Sequence, residues 1–112
     1  MFRIEKVNNL IKKELGNLIL KEIDIFPGIF LTITRVECSS NLFQGKVFIS
    51  VMPEEKYNDV LELLNRHIYD LQQKLNKKMR MRPVPKITFY KETKTAEASR
   101  IEEILASIEK KD

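Results

Sequence analysis

The 112-residue chain holds one cysteine, one histidine and three glycines, and each scarcity removes a class of chemistry. Cys38 alone cannot close an internal disulfide, which fits a reducing compartment rather than a stapled secreted domain. With His67 the only histidine and no clustered cysteines, no metal-ligand spacing exists, and His67 reads as a surface or partly packed helix residue. Gly16, Gly28 and Gly45 are too scattered for a phosphate-binding loop, a dinucleotide fingerprint or a nucleophile elbow. No apolar run approaches the ~20 residues of a membrane span. The opening Met1-Phe2-Arg3-Ile4-Glu5-Lys6 carries charges where a secretory leader needs an unbroken apolar stretch. The expectation is a cytoplasmic protein that is not an enzyme and has no cofactor, metal or membrane partner.

What is present is globular. A hydrophobic fraction of 43% stands beside 32% charged residues, too apolar for a disordered chain. The length predicts one domain over residues 1–112. Ile4, Val7, Ile11, Leu15, Leu18 and Ile19 recur at helical spacing, so residues 3–22 read as an amphipathic helix. Gly16 inside it suggests close packing against a neighbour. Pro27-Gly28 marks a turn. Residues 29–38 alternate as a strand, but Leu31 and Ile33 fall in one phase and Val36 and Cys38 in the other. A bulge or a bend near Thr34-Arg35 would reconcile them. Val47, Ile49 and Val51 set a second strand, and the short polar link implies an antiparallel hairpin.

A long helical stripe follows, opened by Pro53-Glu54-Glu55 and carried by Val60, Leu61, Leu64, Ile68, Leu71, Leu75 and Met79. Unbroken over residues 54–80 it would be ~40 Å long, too long for a compact domain of this size. The segment should bend or divide, yet no internal glycine or proline says where. Pro83 and Pro85 close it, and Lys86-Ile87-Thr88-Phe89-Tyr90 reads as a third strand. Ser99 and Glu102 form a capping-box pattern before Ile101, Ile104, Leu105 and Ile108, a candidate C-terminal helix. Residues 91–112 read as a partly flexible extension.

Charge distribution carries the functional signal. From Lys74 to Lys91 the charged residues are Lys74, Lys77, Lys78, Arg80, Arg82, Lys86 and Lys91, with no acid among them. Such a one-signed cluster attracts polyanions and releases their counterions. A lysine-rich helix end complementing its own dipole accounts for Lys77 and Lys78 but not for Arg82, Lys86 and Lys91 beyond it. The alternation Met79-Arg80-Met81-Arg82 lets methionine pack inward while guanidinium groups, suited to phosphate, face out. Arg3, Lys6, Lys12 and Lys13 form a second basic set, diluted by Glu5 and Glu14. Phe43 and Tyr90 are placed to stack bases or simply to pack. Glu54, Glu55, Asp59 and Glu62 suit a solvated acidic helix start, and also leave open an adaptor that binds protein.

Several segments, in order, carry a family likeness: Lys6-Val7 with Ile11 and Glu14-Leu15, Lys46-Val47-Phe48-Ile49-Ser50-Val51, Leu64-Asn65-Arg66, the run from Leu75 to Phe89, and Arg100-Ile101 with Ile104-Leu105. On these residues the chain resembles the ribosome-binding factor A family, bacterial proteins that assist late maturation of the small ribosomal subunit. The resemblance implies an α+β, type II KH-like domain of order α-β-β-α-(kink)-α-β with a C-terminal helix, its three-stranded sheet packed against helices. The family lacks the GxxG loop of ordinary KH domains, as does this chain. It further implies binding to 16S rRNA in free or immature 30S subunits, among ribosomal proteins near the neck. Support of rRNA processing and of growth in the cold, and release aided by a maturation GTPase, belong to the same picture, as does a monomeric state. The chain departs from the family at His67-Ile68-Tyr69, where Ala-x-Gly is common at the kink, and at Asn76 and Ala98, where glycine is usual. Gln72 replaces a position that is often basic, shifting RNA contacts toward Lys77 and Arg80.

The expected RNA-binding set is therefore Lys74, Lys77, Lys78, Arg80, Arg82 and Lys86, with Arg3, Lys6 and Arg100 as weaker members. The competing reading is a general KH-type module for single-stranded RNA away from the ribosome. The missing GxxG counts against it, because that loop lets backbone approach nucleotides closely.

Overall fold

The computed structural model describes residues 2–93. Helix α1 spans Phe2–Glu22, and Val7, Ile11, Leu15, Leu18 and Ile19 on its inner face are all buried. The chain then turns through Phe26, Pro27, Gly28 and Ile29, with the Ile29 amide donating to the Phe26 carbonyl at 3.2 Å. Proline in second place and Gly28 at φ +79° in third are what a type II turn requires.

Strands β1 (Phe30–Cys38) and β2 (Gln44–Met52) form the antiparallel hairpin. Their register steps from Ile33 opposite Ile49 to Arg35 opposite Phe48, which makes Thr34 the extra residue of a bulge. The bulge turns Leu31 and Ile33, and beyond it Val36 and Cys38, toward the same core. A 3₁₀ turn (Glu54–Lys56) leads into α2 (Tyr57–Arg66) and α3 (Ile68–Lys78). Strand β3 (Lys86–Lys91) returns parallel to β2 and completes a sheet of order β1-β2-β3. All three helices share one core with Val47, Ile49, Val51, Ile87 and Phe89 of the sheet. No described helix covers the opposite sheet face. The candidate C-terminal helix from Ser99 lies outside the described residues.

The long amphipathic segment divides at His67, and the reason is local. His67 adopts φ −106°, ψ 8°, and its amide donates to the Leu64 carbonyl at 3.0 Å instead of continuing the four-residue ladder. That would strand the Leu63 carbonyl, but the His67 ring Nδ1 lies 3.0 Å from it and donates in place of the backbone. The ring thus satisfies the acceptor that the break exposes, and α3 restarts with the Leu71 amide bonded to the His67 carbonyl at 2.9 Å.

Gly16 corrects an expectation. A Cβ built on it meets nothing within 4 Å, so it is not there to admit a packed neighbour. Gly16→Ala is accordingly expected to stabilise the fold by about 1 kcal/mol through helix propensity, read as a rise in the urea midpoint with unchanged slope.

Candidate RNA-binding surface

Helix α3 is anchored by Leu71 and Leu75, with Met79 just beyond it also buried. Met79 is extended (ψ 141°), yet its amide still bonds the Leu75 carbonyl at 3.0 Å, so the helix stops there with its last turn closed. Beyond it Arg80 and Arg82 are exposed while Met81 is half-buried, as the alternation implies. Arg82 is only partly free. Its Nη1 donates to the Met79 carbonyl at 3.2 Å and the Met81 carbonyl at 2.5 Å, capping the exposed helix end.

Gln72 has a role the sequence did not signal. Its Nε2 donates to Asn76 Oδ1 at 3.0 Å and to the Pro85 carbonyl at 3.1 Å, while Oε1 accepts from the Ile87 amide at 2.9 Å. One side chain thus ties α3 to both ends of the turn into β3, where Pro85 and Ile87 are buried. Gln72 is therefore a clamp on the connector that carries Arg80, Arg82 and Lys86.

The fold redistributes the predicted cations. Lys74 Nζ lies 3.5 Å from Glu22 Oε1 at the end of α1, so its charge is partly answered. Arg3 and Lys6, from the start of α1, meet Arg80 around a groove of about 480 Å³ floored by Val7, Leu10, Met79 and Met81. Glu5 sits on another flank of the helix, beside Asn8, Thr34 and Arg35, and does not dilute this group. Lys77 and Lys78 are exposed on the last turn of α3 leading to it. Lys86 is not part of the cluster: it opens β3 with its side chain alternating away from Ile87 and the core. Arg100 lies outside the described residues. The carboxylates Glu54, Glu55, Asp59 and Glu62 are exposed at the far end, around the start of α2.

Other reactive groups are quiet. Burial pushes the Cys38 thiol up, which keeps it protonated at neutral pH. Burial likewise raises Tyr57. No group of three or more His, Cys, Asp or Glu side chains among the described residues could hold a metal. No described helix is long and apolar enough to cross a membrane.

Comparison with known proteins agrees with this geometry. The family model of ribosome-binding factor A matches residues 3–105. The ribosome-binding factor A of Cytophaga hutchinsonii is 32% identical over 109 residues, covering 95% of this chain and 82% of that protein. The crystal structure of ribosome-binding factor A from Thermus thermophilus superposes with a TM-score of 0.68 at 25% identity, covering 79% of this chain and 93% of that one. A homology model of the Thermus thermophilus factor, fitted into a cryo-electron-microscopy map of its 30S complex, gives a TM-score of 0.63 at 26% identity, over 78% of this chain and 92% of that one. With a three-stranded sheet, a divided second helix and a matched length that spans nearly the whole chain, this protein belongs to the ribosome-binding factor A family.

Proposed function

We propose that this protein binds the small ribosomal subunit, docks on its 16S rRNA through the basic edge where α1 and α3 meet, and assists late rRNA processing without catalysing a reaction. The observation that carries the reading is the convergence of Arg3 and Lys6 with Arg80 around one groove. Lys77 and Lys78 lead to it, and Glu5 is turned aside. Family membership supports the ribosome as the target, as does the fit of the Thermus thermophilus relative into a 30S complex. Cations of this kind position a protein on phosphates without reading sequence. Selectivity then comes from RNA shape and from neighbouring ribosomal proteins. Support of growth in the cold, GTPase-aided release, a monomeric state and a cytoplasmic site complete the proposal. The general single-stranded RNA module lacks the GxxG loop that would clamp nucleotides, and the acidic start of α2 stands apart from the basic edge.

Sucrose-gradient fractionation of cells carrying the tagged protein tests the reading. The expected result is sedimentation with free small subunits and immature rRNA, lost when the extract is treated with nuclease before loading. Migration with translating ribosomes, or only at the top of the gradient, refutes it.

A further inference from the structure

The sheet face that no described helix covers carries a feature that the basic edge does not use. On β2 and β3 the residues that alternate away from the core include Lys46, Phe48, Lys86, Thr88 and Tyr90. The register sets Lys46 opposite Thr88 and Phe48 opposite Tyr90. The Phe48 and Tyr90 rings are 5.8 Å apart and tilted by 33°, while Lys46 Nζ stands 5.5 Å from the Tyr90 ring centre.

Cross-strand packing explains one ring and not the other. Phe48 is half-buried and is roofed by the Arg35 guanidinium, whose carbon lies 3.8 Å from the ring centre. Arg35 is fixed there by Glu92, at 2.9 Å, and by Glu37. Both carboxylates pair with Arg35, and among the described residues neither forms an ion pair with Lys46 or Lys86, although the register sets Glu37 opposite Lys46. Tyr90 is covered only by the longer contact with the Lys46 ammonium and remains 40% exposed at the edge of the sheet. Phe43, 57% exposed at the hairpin tip, stands beside the start of β3, since its carbonyl accepts the Lys86 amide at 2.9 Å.

We propose that this face is a second RNA contact, in which an unpaired base stacks on Tyr90 while Lys46 and Lys86 hold the flanking phosphates. An open ring at a sheet surface with lysines beside it suits single-stranded RNA, whose splayed bases stack on aromatics whatever their identity. A protein partner is less well matched, because the apolar surface around Tyr90 and Phe43 is broken by Lys46, Lys86 and the Thr88 hydroxyl. The proposal rests on the ribosomal RNA reading above but uses the opposite face of the domain from the α1–α3 groove.

The chain has no tryptophan, so Tyr90→Trp creates a single reporter on this face. Titration with an unstructured RNA of about ten nucleotides is expected to quench its emission, and to do so equally when Lys78 and Arg80 are reversed in charge. Tyr90→Ala should weaken binding of the same RNA roughly ten-fold, and Tyr90→Phe should leave it near wild type. Emission untouched by RNA, while small-subunit binding persists and still depends on Lys78 and Arg80, overturns the sheet-face site and leaves the ribosomal reading standing. Emission that answers only to ribosomal proteins stripped of rRNA overturns it in favour of a protein contact. Failure of the wild-type chain to bind small subunits at all removes the reading on which the proposal rests.

Discussion

Replacing Gln72 with leucine is expected to lower the melting temperature by on the order of 10 °C. The apolar side chain keeps roughly the same volume but makes none of the three hydrogen bonds of Gln72. The Ile87 amide and the Pro85 carbonyl, both on buried residues, then lose a partner. Each orphaned group costs about 1–3 kcal/mol, and about 2 kcal/mol in total already corresponds to a shift of that size in a domain near 100 residues. The loss should be local before it is global. Amide exchange at Ile87 should accelerate strongly while Val47 and Ile49 of the central strand keep more of their protection, because they are also paired with β1, which the clamp does not touch. An unchanged melting temperature together with a still-protected Ile87 amide would mean that water replaces the glutamine and that the connector is held by other means.

Much of the fold was legible because its signals are periodic. The change of phase between Ile33 and Val36 implied a bulge or a bend near Thr34-Arg35, and the structure has the bulge there, at Thr34. The helical stripe of residues 54–80 was also legible, and its excess length demanded a break. The family likeness pointed the break to His67-Ile68-Tyr69, but the local chemistry did not show it, because the device is a histidine ring bonding the Leu63 carbonyl. Histidine is an ordinary helix residue, and nothing in the sequence distinguishes one that breaks a helix from one that faces solvent. Gly16 misled for the converse reason: a helix glycine suggests contact, and this one faces open space.

The site was half legible. The stretch after Lys74 announced its sign, but a linear stretch cannot show which of its charges share a surface. Glu22, far away in sequence, takes up Lys74, and strand alternation carries Lys86 to the other face of the sheet. The gain of Arg3 and Lys6 had a readable signal. At 100° per residue Lys6 lies 60° from Arg3, whereas Glu5 lies 160° from it, so the acid that seemed to dilute the pair was already on another flank. Gln72 had no signal of any kind, since its partners are backbone groups 13 and 15 residues onward.

The double reversal Lys78→Glu and Arg80→Glu is expected to weaken binding to immature small subunits by about 100-fold at moderate salt. Each cation lost from a phosphate removes a charge-assisted hydrogen bond of about 1.5–3 kcal/mol. The same substitution should lower the slope of log affinity against log salt by about 1.5, because two fewer counterions are released, each contributing roughly 0.7–0.9. The fold should survive, for both side chains are exposed. The cost of acid at the end of α3 is about 0.3–1 kcal/mol through the helix dipole, small beside the 5–15 kcal/mol of a typical domain. Lys74→Gln provides the contrast: its charge is already engaged by Glu22, so its effect on subunit affinity should stay within about three-fold. Filter binding of the three proteins over a range of potassium concentrations measures all of these quantities. If the double reversal keeps both its affinity and its salt slope, the edge between α1 and α3 is not where the rRNA sits. If Lys74→Gln weakens binding as much as the double reversal does, the pairing with Glu22 yields on the ribosome, and the docking edge extends along the whole of α3.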